Sequence, residues 1–119
     1  MFTVSVQSGF SATHRVRSRD GSVEPQHGHD WVVRAEFTRA ELDECGMVVD
    51  FLEARRVLDA ISADLHHTDL NEHTALGGAN PTAEAVARYV FDRVRDAGLR
   101  DVRRVEITEA PGCIASYSE

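Results

Sequence analysis

A chain of 119 residues has room for one compact domain, and its 42% hydrophobic and 28% charged residues exclude a disordered or collagen-like polymer. No apolar run approaches the ~20 residues that a membrane-crossing helix needs. Thirteen basic against twenty acidic residues leave a net charge of −7, which argues against general nucleic-acid binding, and because every basic residue is an arginine, a Schiff-base lysine and a Walker A phosphate loop are excluded.

The first element alternates with period two. Phe2, Val4, Val6, Phe10, Ala12 and His14 share one face, broken by Ser8, while Thr3, Ser5, Gln7, Ser11, Thr13 and Arg15 share the other. This predicts a half-buried strand whose apolar face ends in a histidine. Residues 15–26 are rich in Arg, Ser, Asp, Gly, Glu and Pro and read as a loop. A second strand follows, with His27, His29, Trp31, Val33, Ala35 and Phe37 on one face and Asp30, Arg34 and Glu36 on the other.

A polar connection over residues 39–46 ends at Gly46. Asp50-Phe51-Leu52-Glu53 reads as a capping box, opening a helix that carries Ala54, Val57, Leu58, Ile61 and Leu65 at helical spacing. A long loop, containing Gly77-Gly78, is expected over residues 67–79. Asn80-Pro81 offers an N-cap and an N1 proline for a second helix, buried through Val86, Ala87, Val90, Phe91 and Val94 and ended by Gly98. Val105, Ile107 and Glu109 return to period two, Pro111-Gly112 makes a turn, and residues 114–117 form the last strand. The order strand, strand, helix, helix, strand, strand predicts an α+β fold, an antiparallel sheet with both helices on one face, as a single domain over residues 1–119. Four strands leave two edges, which sheets of other subunits would close into a barrel, so a homo-oligomer is expected.

The histidines carry the chemistry. If the first two strands form a hairpin, His14, His27 and His29 meet on one apolar face, because strand side chains alternate. Three imidazoles match a catalytic zinc site, with the fourth position open; the alternative is unrelated strand-end histidines. Glu109 ends the apolar face of its strand, either as a salt-bridge partner of an arginine or as a bidentate acceptor for a ligand with two parallel N–H donors. His66-His67 with Asp69 is either an acid–base pair or a helix C-terminal cap. Arg15, Arg17 and Arg19 form a solvated loop or a clamp for an anionic tail. Cys45 and Cys113 lie far apart, form no Cys-x-x-Cys pair, and are not expected to make a disulfide. Met1-Phe2-Thr3-Val4 lacks the regions of a signal peptide, so a cytoplasmic protein is expected.

Together these features resemble the 6-pyruvoyl-tetrahydropterin and 6-carboxy-tetrahydropterin synthase family. The matching segments are Phe10-Ser11-Ala12-Thr13-His14, His27-Gly28-His29 and Gly46-Met47-Val48-Val49-Asp50-Phe51, then His67, Leu70-Asn71, Asn80-Pro81-Thr82-Ala83-Glu84 and Glu109. The resemblance implies the tunnelling fold, trimers that stack into hexamers, and active sites between subunits. It implies zinc on His14, His27 and His29, and a pterin ring anchored by Glu109 and steadied by Thr82. The implied substrate is 7,8-dihydroneopterin triphosphate, altered in its side chain.

Two positions depart from that pattern. The family's catalytic cysteine, four residues before the His-Gly-His segment, is here Val23, and its neighbour Glu24 resembles the glutamate of the branch that cleaves dihydroneopterin to 6-hydroxymethyl-dihydropterin. The family's aspartate beside its catalytic histidine, His67, is here His66, leaving Asp69 or Asp64 to orient that imidazole. The leading expectation is the family's synthase reaction on the triphosphate; the alternatives are an aldolase-type cleavage with Glu24 as base, or pterin binding without turnover.

Overall fold

The computed structural model describes residues 1–76 and 78–119. Its spine is the antiparallel hairpin of β1 (Phe2–His14) and β2 (His27–Arg39), in unbroken register from Phe2 opposite Arg39 to His14 opposite His27. The alternation read from the sequence is real: Val6, Phe10, Ala12 and His14 on β1, and Trp31, Val33, Ala35 and Phe37 on β2, are buried against the helices.

Helix α1 (Phe51–Leu65) starts at Asp50, whose carboxylate accepts from the Leu52 N–H, and Glu53 sits exposed in its first turn. Helix α2 (Ala83–Asp96) starts later than expected. Thr82 is its N-cap, accepting from the Ala85 N–H, and Asn80 and Pro81 lie ahead of it. Two further strands follow, β4 (Val102–Ala110) and β5 (Cys113–Ser118), joined at Pro111-Gly112, where Gly112 takes a positive φ of 81°. That is the combination a type II turn asks for.

The sheet has five strands rather than four. Within the expected 67–79 loop, the two residues of β3 (Thr68–Asp69) pair parallel with Ala12 and Thr13, and a 3-10 turn (Leu70–Glu72) follows. Gly77 of that loop lies outside the described residues. The order is β3-β1-β2-β4-β5, with α1 packed on β1 and α2 on β4 and β5, so the fold is α+β with both helices on one face. Trp31, Leu58, Leu65, Phe91 and Ile107 are fully buried between the layers, each worth about 1.5–3 kcal/mol by transfer from water. No described helix is long and apolar enough to cross a membrane.

Hairpin register decides what meets at the sheet's end. His14 faces His27 across the ladder and Ala12 faces His29, so the ends of both apolar faces carry imidazoles. The other end of β1 borders an apolar hollow of about 480 Å³ lined by Phe2, Val4, Met47 and Phe51, among others.

Candidate metal centre

The three imidazoles converge as the hairpin requires. One ring nitrogen of each lies within 4.8 Å of those of the other two, and Trp31 packs edge-on against His14 and His29 at 4.9 and 5.6 Å between ring centres. The main chain orients two of the rings. His14 Nδ1 donates to the Pro81 carbonyl at 2.8 Å and His27 Nδ1 donates to the Pro25 carbonyl at 2.9 Å, which leaves each Nε2 with its lone pair turned inward. The third imidazole, His29, is pushed below its ordinary range mainly by burial, with Glu109 opposing and the neighbouring His27 and His14 reinforcing the shift. All of this suits a cation: a neutral nitrogen is the form that binds metal.

His14 supplies the sharpest fit. Its side chain is fully buried and its Nε2 has no hydrogen-bond partner, although Glu109 Oε1 is 2.9 Å away. In its neutral form, the form that binds metal, a ring that donates from Nδ1 offers that carboxylate a lone pair, not a proton. A positive ion between them resolves the conflict, and three nitrogen donors with one open side fit zinc.

Two carboxylates face the triad. Glu109 Oε1 also lies 3.7 Å from His29 Nε2, and Glu24 Oε1 lies 3.6 Å from His27 Nε2. Among the described residues no arginine pairs with either, so the salt-bridge alternative for Glu109 has no partner. Glu109 is displaced on purpose by its strand: Thr108 pairs with Ile114 but Ala110 pairs with Cys113, so Glu109 is the extra residue of a bulge, a device that re-aims a side chain.

Glu24 is held by the loop. Its Oε1 accepts from the Val16 N–H at 3.0 Å, its own N–H donates to the Val16 carbonyl, and Val23 forms a bridge with Arg17. Two asparagines pin that segment from outside. The Asn71 carboxamide takes both backbone groups of Arg15, at 2.8 and 3.0 Å, and the Asn80 carboxamide does the same to Arg17, at 2.7 and 2.8 Å. The side chains of Arg15, Arg17 and Arg19 are exposed.

Glu24, His27, His29, Thr82, Glu109 and Cys113 line one cleft of about 440 Å³ beside the triad. Val23 is not part of its wall and is largely exposed. Cys113 is a residue the sequence reading did not place here. The signal was present, because a two-residue turn at Pro111-Gly112 sets Cys113 opposite Ala110, beside Glu109. Cys45 lies in the 40–49 loop, where its N–H donates to the Asp43 carboxylate.

The His66-His67 group stands apart from this cleft on the β1–β3 flank. His66 Nδ1 accepts from the Ser11 N–H and the His67 N–H donates to the Ser11 carbonyl, so the pair finishes the edge of β1. The two rings stack at 3.6 Å, and His67 holds a positive φ of 58°, a strained conformation for a side chain of this size. Asp69 caps the 3-10 turn by accepting from the Asn71 N–H, and Asp64 pairs with Arg93, so both carboxylates have other partners than His67.

Comparison with known proteins agrees with this fold. The family model described as 6-pyruvoyl tetrahydropterin synthase matches residues 3–119. The 6-carboxy-5,6,7,8-tetrahydropterin synthase of Synechocystis sp. is 30% identical over 122 residues, covering 98% of this chain and 93% of that protein. The dihydroneopterin monophosphate aldolase of Pyrococcus furiosus is 31% identical over 101 residues, covering 82% and 78%. The solved structure of Caenorhabditis elegans 6-pyruvoyl tetrahydropterin synthase superposes with a TM-score of 0.85 at 25% identity, over 99% of this chain and 95% of that one. A triad of imidazoles at the end of a two-helix, five-stranded sheet, matched along nearly its whole length, places this chain in the 6-pyruvoyl tetrahydropterin synthase family.

Proposed function

We propose that this protein is a zinc-dependent lyase that cleaves the three-carbon side chain of a dihydroneopterin, phosphorylated or not, by an aldol-type reaction with Glu24 as the base. The observation that carries the reading is the placement of two carboxylates free of any arginine among the described residues, Glu24 beside His27 and Glu109 beside His14 and His29, in one cleft.

His14, His27 and His29 hold the ion, which when bound supplies a Lewis acid for the side-chain oxygens of the substrate. Glu109 accepts the parallel N–H groups of the pterin ring, and Thr82, on the wall of the same cleft, borders that ring. Glu24 takes the proton of the 2′-hydroxyl. The bond between C1′ and C2′ breaks, C2′ leaves as an aldehyde, and its electron pair moves into the ring's C6–N5 imine. Protonation at C1′ then gives 6-hydroxymethyl-dihydropterin. One base next to the oxygens suffices for this sequence, and its expected contribution is about 10²–10⁴ in rate.

A second reading has its own support. The thiol of Cys113 in the cleft, together with relatives named as 6-carboxy-tetrahydropterin synthases, favours the synthase reaction on 7,8-dihydroneopterin triphosphate. In either case the His66-His67 pair, remote from its own cleft, would complete the site of a neighbouring copy in a trimer or hexamer. The free edges of β3 and β5 and the exposed Phe2, Met47, Phe51 and Leu52 support such assembly.

The test is Glu24→Gln. The amide keeps an acceptor for the Val16 N–H but cannot take a proton. Turnover of dihydroneopterin falling at least about 100-fold, with zinc content unchanged, is the expected result. An unaltered rate removes Glu24 from the mechanism.

A further inference from the structure

We propose that Glu109 works in two positions: in the ligand-free protein its carboxylate closes the coordination sphere of the metal, and an arriving pterin ring draws it off. This rests on the assignment of the triad as a metal site and of Glu109 as the ring's partner.

Distances make the first position. Two donors on one tetrahedral zinc, each about 2.0–2.1 Å from the ion, stand roughly 3.4 Å apart. Glu109 Oε1 stands 2.9 Å from His14 Nε2 and 3.7 Å from His29 Nε2, on either side of that spacing. No hydrogen bond explains so close an approach, because His14 spends its Nδ1 proton on Pro81 and its Nε2 has no partner.

Freedom to move makes the second. Among the described residues no N–H or O–H group donates to Glu109 and no arginine pairs with it. Its backbone is the bulged residue of β4, out of step with the β5 ladder. Glu24 is the contrast: its oxygen is tied to the Val16 N–H and approaches His27 alone, so it stays in place as a base. A ring presenting two parallel N–H donors offers Glu109 the bidentate partner it lacks, and its departure opens the fourth coordination position when substrate is there to fill it. By linkage, a ring without side-chain oxygens weakens metal binding by the same factor by which metal weakens its own binding.

Cobalt(II) in place of zinc reads the coordination number, since its visible bands are strong in four-coordinate sites and weak in six-coordinate ones. The ligand-free wild-type protein is expected to give the strong, four-coordinate spectrum. Glu109→Gln and Glu109→Asp, which withdraws the carboxylate by one methylene but keeps its charge, are both expected to lose intensity. Zinc affinity, measured by competition with a chromogenic chelator, is expected to fall about tenfold or more in both. Adding unsubstituted pterin to the wild-type protein is expected to shift its spectrum toward that of Glu109→Gln. Wild-type spectra and affinities in both variants overturn the ligand role while leaving the metal site standing. Altered variants with a wild-type spectrum that pterin does not move overturn the release. A wild-type protein that takes up neither cobalt nor zinc overturns this inference and the metal site together.

Discussion

His14 Nδ1 donates to the carbonyl of Pro81, 67 residues away in the chain, at 2.8 Å. That bond ties the end of β1 to the residue just before the α2 cap, and fixes which nitrogen of a fully buried ring faces the cleft. It also explains why Pro81 precedes the helix instead of opening it. The carbonyl of a residue at this position stays outside the helical ladder and is free to accept from a side chain.

Replacing His14 by alanine therefore removes a proposed metal ligand and a buried packing group at once. Zinc affinity should fall by more than the roughly 10–100-fold that losing an outer partner of a metal ligand costs. Unfolding of the metal-free protein should become easier by about 2–4 kcal/mol, from the cavity and the orphaned Pro81 carbonyl. Chelator competition and urea denaturation measure the two effects separately. Unchanged zinc affinity would remove His14 from the ligand set.

The Asn80 carboxamide positions Glu24 without touching the cleft. Both of its bonds go to the Arg17 backbone, and the neighbouring Val16 N–H holds the Glu24 carboxylate. Asn80→Ala should cost about 1–2 kcal/mol of stability for two lost hydrogen bonds. Turnover should suffer through kcat, by about tenfold, because a base misplaced by an ångström loses much of its effect. Zinc affinity should stay near wild type. A raised KM with unchanged kcat would mean that the clamp serves substrate binding.

Acid should weaken the metal-free fold through His29. Burial holds its folded-state imidazole below the ordinary value of 6.5 that the unfolded chain keeps. Above that value both states are neutral and the fold has its full stability. As pH falls through 6.5 the unfolded chain takes up the proton first, and stability is lost until the folded-state value is passed. The melting temperature of the metal-free protein should drop between about pH 7.5 and about pH 5.5, and His29→Gln should flatten that slope. A melting temperature that rises with acid over this range would contradict the shift.

The parts legible in the sequence are those with a period. Alternation in β1 and β2 puts His14, His27 and His29 on one face, and alternation through Val105 and Ile107 leads to Glu109, which the bulge then sets out of step with β5. Two residues make no period, so β3 and the 3-10 turn after it carry no signal that separates them from a loop. Asn80-Pro81 carries the signature of a helix start, but the Asn80 side chain is spent on Arg17 and Thr82 takes the cap. The shape of the 15–26 loop depends on side chains from residues 71 and 80 meeting its backbone, a long-range match that no local pattern announces. His66, similarly, looks like half of an acid–base pair until Ser11 is seen bound to it.

Mass-spectrometric product analysis decides whether one zinc-binding cleft, with Glu24 as its proposed base, cleaves a dihydropterin side chain, using zinc-loaded protein incubated separately with 7,8-dihydroneopterin, its monophosphate and its triphosphate. Formation of 6-hydroxymethyl-dihydropterin together with glycolaldehyde or its phosphate is the predicted result. A pyruvoyl- or carboxy-tetrahydropterin from the triphosphate, with no hydroxymethyl product, would contradict the aldol step and favour the synthase reaction with Cys113 in the cleft. Recovery of all three pterins unchanged would contradict turnover altogether.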